Sequence, residues 1–135
     1  MNGTQELKVA VAQFTVRREP EWNLDIIDGY AWQAADAGAR LLVLPEGLIA
    51  RDGDDDMFAA AHAQPLDGPF VTGLRRISEE RHITLMGTVH AVSGAADAVP
   101  DKPASCATDS RVSNVFVVIP VSYTHLRAHE TRRHL

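Results

Sequence analysis

Cysteine is all but missing from this chain: Cys106 stands alone, which excludes an internal disulfide and cysteine-rich zinc sites and fits a reducing compartment. Long apolar runs are missing too. None approaches the roughly 20 residues that a membrane-spanning helix requires. The opening residues Met1 to Glu6 lack the basic stretch and apolar core of a secretion signal, so the expected location is the cytoplasm. Positive charge is in deficit, with 13 Lys and Arg against 18 Asp and Glu, a net charge of −5 and a pI near 5.6. That balance repels phosphate backbones and anionic lipid, so neither nucleic acid nor a membrane surface is expected as a partner.

What is present reads as one α/β domain: 135 residues, 45% of them hydrophobic, suffice for a core but are few for a complete α/β enzyme. Lys8 to Phe14 reads as a buried first strand. Asn23 is the expected cap of a helix on which Ile27, Tyr30, Ala31, Ala34 and Ala35 recur at helical spacing until Gly38 ends it. The run Leu41 to Leu44 follows as a second strand, parallel to the first across the helical crossover. Pro69 suits the first turn of a further helix, with Val71, Leu74, Ile77 and Ser78 inward and Arg75, Arg76, Glu79, Glu80 and Arg81 on a solvated face. Ile83 to Val89 and Val115 to Ile119 read as a third and a fourth strand, separated by a polar segment from Ser93 to Ser110 that is either a disordered excursion or the loop of a wide hairpin.

The most telling stretch is Leu41-Leu42-Val43-Leu44-Pro45-Glu46-Gly47. An apolar strand stops at a proline, which fixes φ and donates no ladder hydrogen bond, and the next residue is a glutamate. In open α/β sheets ligands bind outside the carboxyl ends of the strands, so Glu46 is a candidate for moving protons; the alternative is an ordinary solvated carboxylate. Asp52, Asp54, Asp55 and Asp56 do not make a calcium loop, because the glutamate that should close it is Ala63. They read better as favourable charge at the start of a short helix, Met57 to His62. His125 and His129 share a helical spacing, but no third ligand accompanies them. No feature points to a nucleotide, flavin or metal cofactor.

From Lys8 to Ile119 the chain resembles the N-terminal part of the nitrilase superfamily, the carbon-nitrogen hydrolases. The resemblance rests on Val9 to Phe14, Asn23-Leu24, and Ala37-Gly38-Ala39-Arg40-Leu41-Leu42-Val43-Leu44-Pro45-Glu46 in that order. Leu48 to Asp52, Leu66-Asp67-Gly68, Leu74-Arg75-Arg76 and Arg111-Val112-Ser113-Asn114 look most like the bacterial deaminated-glutathione amidase branch. The resemblance implies the N-terminal half of an α-β-β-α sandwich, homo-oligomeric when intact, and hydrolysis of the amide bond of a small ω-amide such as deaminated glutathione. It implies a cysteine nucleophile, a lysine that stabilises the oxyanion, and Glu46 as general base. Arg51 and Arg111 are then candidates for a substrate carboxylate, and Asn114 for a structural place beside the site.

The resemblance also shows what is missing. Lys8 and Lys102 are the only lysines, and neither stands where the family's Tyr-x-Lys would follow the fourth strand. Cys106 precedes that strand and reads as a loop thiol. Residues 1–120 are therefore expected to be the N-terminal part of the hydrolase domain, inactive alone. Residues 121–135 shift from acidic to basic, hold three of the six histidines, and resemble translated sequencing-adapter sequence, unrelated to the body. A non-catalytic α/β binding or interaction module retaining Glu46 is the other reading.

Overall fold

The computed structural model describes residues 3–93 and 111–121. Its elements in chain order are β1 (Val9–Val11), α1 (Pro20–Asp36), β2 (Leu41–Val43), α2 (Phe58–Ala61), α3 (Pro69–Arg81), β3 (Thr84–Val92) and β4 (Val112–Ile119). The four strands form one sheet in the order β1-β2-β3-β4. β1, β2 and β3 run parallel, with Val9 beside Leu41 and Leu41 beside Thr84. β4 returns antiparallel to β3, with His90 opposite Asn114 and Leu85 opposite Ile119.

The two faces of this sheet differ because side chains alternate along each strand. Leu42, Leu85, Val89 and Ile119 are buried with Ile27, Ala31 and Ala34 of α1 and Phe70, Val71, Leu74 and Ile77 of α3 in one core. Along β3 the other face carries Thr84, Met86, Thr88, His90 and Val92, all half-buried. Val9 and Val11 lie there 45% and 71% exposed, and Phe116 of β4 is 40% exposed. Among the described residues that face remains open, so β1 is not the buried strand expected: Ala10, and Ala12 just after the strand, pack with the core under the helices and the two valines turn away.

Both long helices begin on proline, where the missing N–H costs nothing. α1 is capped by Glu19 rather than by Asn23, which lies inside the first turn and is fully buried. The helix ends as expected at Gly38, whose φ of 85° suits a glycine. Arg81 does not belong to a solvated face. Its Nε and Nη2 donate to the Asp28 carboxylate at 2.9 and 3.1 Å, tying α3 to α1. That guanidinium, through its hydrogen bonds first, holds the Asp28 carboxyl below its usual range. β3 and β4 are both longer than the sequence suggests, and they pair as two arms of a hairpin. Most of the Ser93 to Ser110 stretch, Lys102 and Cys106 fall outside the described residues, as do the histidines of the tail.

Candidate active site

The β2–β3 ladder proceeds regularly to Leu44, whose N–H donates to the Met86 carbonyl at 2.7 Å. In a regular parallel ladder the N–H of residue 46 would next meet the Thr88 carbonyl. Instead the Leu48 N–H takes that carbonyl at 3.0 Å, so two residues are squeezed out of the ladder. Pro45, Glu46 and Gly47 form this excursion. Bulges of this kind re-aim a side chain, and here the side chain delivered is that of Glu46. Two glycines make room for it. Gly47 has a φ of 62°, and a Cβ there would lie 3.4 Å from Cε1 of His90. Gly87 lies beneath the excursion, where a Cβ would meet Leu48 Cδ1 at 2.8 Å and the Pro45 carbonyl at 3.4 Å.

Beyond the excursion, Asn23 fastens the chain. Its Nδ2 donates to the carbonyls of Arg17 and Ile49 at 2.9 and 3.0 Å, and its Oδ1 accepts from the Arg17 N–H at 2.7 Å. The Arg51 N–H adds a bond of 2.9 Å to the Arg17 carbonyl. One fully buried amide thus joins the loop after β1, the first turn of α1 and the segment that follows Glu46. Buried polar groups stay only when they are satisfied in this way.

The result is a cavity of about 440 Å³ whose lining includes Glu46, Gly47, Arg51, Asp52, His90 and Asn114. The carboxylate is exposed to it. His90 is held below its ordinary pKa, chiefly by burial and secondly by the positive charge of Arg51, and so stays neutral near pH 7. The Oδ1 of Asn114 is buried with no hydrogen-bond partner among the described residues. Asp52 faces two ways: it lines the cavity, and its carboxylate accepts from Arg18 at 2.7 Å. Arg18 also lies over the Phe58 ring at 4.8 Å, so the acidic segment at the mouth is tied to the loop after β1. Within that segment Asp55 Oδ1 accepts the Met57 N–H at 3.0 Å, a turn closure just before α2. The cap residue itself is Met57, without a side-chain bond.

Of the residues singled out in the sequence, Glu46, Arg51 and Asn114 meet at this cavity, and Arg111 is not among its lining residues. Arg111 is exposed before β4, and its carbonyl accepts the Ser93 N–H. His90 escaped the sequence reading. Its signal was present, because strict alternation through Thr84, Met86, Thr88 and His90 sets it on the same face as Thr88, but the partner Asn114 is 24 residues away across the hairpin.

No family model matches the chain. A hydrolase of Mycobacterium tuberculosis is 32% identical over 130 residues, covering 96% of this chain and 40% of its own. The deaminated glutathione amidase of Escherichia coli O157:H7 is 40% identical over 85 residues, 63% of this chain and 32% of that one. The chain thus spans about two fifths of the length of the mycobacterial relative. Among solved structures, a cysteine-to-serine mutant of a Nesterenkonia amidase, described as from the nitrilase superfamily, aligns with a TM-score of 0.54 and 30% identity over 66% of this chain and 34% of its own. A carbon-nitrogen hydrolase superfamily protein of Xanthomonas campestris aligns more widely, with a TM-score of 0.64 over 87% of this chain and 37% of its own; at 19% identity it speaks for the fold alone. With this fold, these relatives and a glutamate delivered at the end of its second strand, the chain belongs to the nitrilase superfamily of carbon-nitrogen hydrolases.

Proposed function

We propose that Glu46 is the general base of an amidase, and that this chain supplies the N-terminal part of its catalytic domain. The observation that carries the reading is the ladder excursion, which spends three residues to set one carboxylate at a cavity beside a neutral imidazole and a guanidinium. In the family's chemistry the glutamate takes the proton of a cysteine thiol as sulfur attacks the amide carbon. The carbon-nitrogen bond breaks and the amine leaves with that proton. Water, deprotonated by the same carboxylate, then cleaves the thioester to a carboxylic acid and restores the thiol. A thiol near its ordinary pKa of about 8.5 is mostly protonated at pH 7, which is why a base within reach matters.

The nucleophile and the lysine would come from sequence beyond the matched region, since Lys8 opens β1 and Cys106 precedes β4. The 135 residues alone are then inactive. The Escherichia coli relative and the cavity's Arg51 support a small ω-amide bearing a carboxylate, such as deaminated glutathione, as substrate. Arg111 is the weaker candidate for that carboxylate. A cytoplasmic homo-oligomer is the expected form of the intact enzyme.

The test is to sequence the source locus past codon 120, express the complete gene product and assay ammonia release from ω-amides. An open frame with a Tyr-x-Lys and a later cysteine, and loss of turnover by at least about a hundredfold in Glu46→Gln, is the expected result. A frame without them would favour a non-catalytic binding module instead, and full turnover in Glu46→Gln would take from Glu46 the role of base.

A further inference from the structure

We infer that Thr88 is a positioning residue for Glu46, acting through the backbone of the excursion; the inference rests on the reading of Glu46 as the base. Thr88 supplies both acceptors that close the excursion. Its carbonyl takes the Leu48 N–H at 3.0 Å, and its hydroxyl oxygen takes the Gly47 N–H at 2.9 Å. These are the two amides that directly follow the glutamate. On the other side Pro45 has no N–H to offer, and its ring already fixes one backbone angle. Of the two residues that flank Glu46, Gly47 is the one with the wide conformational range, and it is held here at a φ of 62°.

Among the described residues the Gly47 N–H has no other acceptor, so the Thr88 hydroxyl is what holds glycine in that state. Thr88 is not among the residues that line the cavity, whereas His90, two positions along the same strand face, is. The hydroxyl accordingly has no direct claim on a ligand. It sets the distance between the Glu46 carboxylate and the His90 ring, which lies against Gly47. Asn23 performs the coarser task from the far end, anchoring Ile49 and, through Arg17, Arg51. Thr88 governs the last step of backbone before the carboxylate.

Thr88→Val keeps the shape and removes the acceptor, and Thr88→Ser keeps the acceptor and removes a methyl. In the complete gene product, Thr88→Val is expected to lower kcat roughly tenfold with KM little changed, since misplacement of a reacting group costs rate rather than affinity. Its Gly47 amide should exchange with solvent about fivefold faster, the value of one net hydrogen bond. Thr88→Ser should restore both. Equal loss in the two variants would show that the position tolerates neither change, so that the acceptor alone does not place Glu46 and the inference falls; wild-type kcat in Thr88→Val would overturn it whatever happened to Gly47 exchange. Glu46→Gln run in parallel separates the two claims. If it retains turnover, the reading of Glu46 falls and this inference with it; if it is dead while Thr88→Val is fully active, only the role of Thr88 is lost.

Discussion

The two faces of the sheet have been built to different rules. The face under α1 and α3 is filled by Ile27, Leu42, Phe70, Leu74, Ile77 and Leu85, each at most 2% exposed, and carries its polar groups only where they are bonded. Ser78 is one such case, its hydroxyl donating to the Ile83 carbonyl at 2.8 Å. The opposite face mixes exposed valines and Phe116 with Thr88, His90 and Asn114. One face holds the fold, and the other, among the described residues, is left open. An apolar sheet face of this kind is covered in most α/β proteins.

The comparison breaks most visibly through a pair of truncations. Leu74→Ala on the covered face should cost about 2–5 kcal/mol, while Val11→Ala on the open face should stay within about 0.5 kcal/mol, both read from denaturant unfolding. Equal costs would mean that the open face is buried in solution. Asn23→Ala comes next. It strips the Ile49 carbonyl and the Arg17 N–H of a buried partner, for about 1–3 kcal/mol, and hydrogen exchange should rise in residues 48–51 before it rises in β3. A uniform rise would deny the amide its local role.

A gentler probe concerns the charge beside His90. Arg51→Gln should raise the His90 midpoint toward 6.5 without reaching it, because burial, the larger cause, persists; ring resonances followed against pH decide this. With its native midpoint depressed, His90 opposes folding only below pH 6.5, where the unfolded chain gains a proton that the native state refuses. The associated loss of stability grows as pH falls and levels off below the native midpoint. Asp28→Asn should have the smallest effect. The carboxyl is held low by Arg81, so the wild type's advantage over this variant is present above the ordinary value of 3.8 and fades as pH falls through the native midpoint. Half-exposed pairs of this kind are heavily screened, and thermal unfolding at pH 7 and pH 2 suffices to see whether the difference disappears.

Much of this was legible in the sequence, for reasons that can be stated. The end of β2 before Pro45 and the end of α1 at Gly38 follow from local signals: an apolar run, a proline, a terminal glycine. Glu46 was legible because a chain terminator and a carboxylate sit side by side. The burial of β1 was misjudged because two valines in a run of small residues look like core, and nothing local says which face the helices take. Asn23 was read as a cap because its type fits one; its real work is with Arg17 and Ile49, the second of these 26 residues away. The roles of His90 and Thr88 were missed for the same reason: alternation sets both on one face of β3, but their value lies in what β2 and β4 place beside them.

The excursion after Leu44 also sets a rule of parity. A ladder alternates between residues that bond to the neighbouring strand and residues that do not, so an excursion with two extra residues rejoins it in phase. Two residues fit: Leu48 recovers the acceptor that residue 46 gave up, and both Leu44 and Leu48 remain buried. Removing one residue of Pro45-Glu46-Gly47 would put the groups that face Thr88 out of phase, and the chain would rejoin β3 only through a one-residue bulge. The loop that carries the glutamate can therefore lengthen or shorten by two without disturbing the pairing of β2 with β3, whereas a change of one brings the kink and added twist of a bulge to the edge where Glu46 stands.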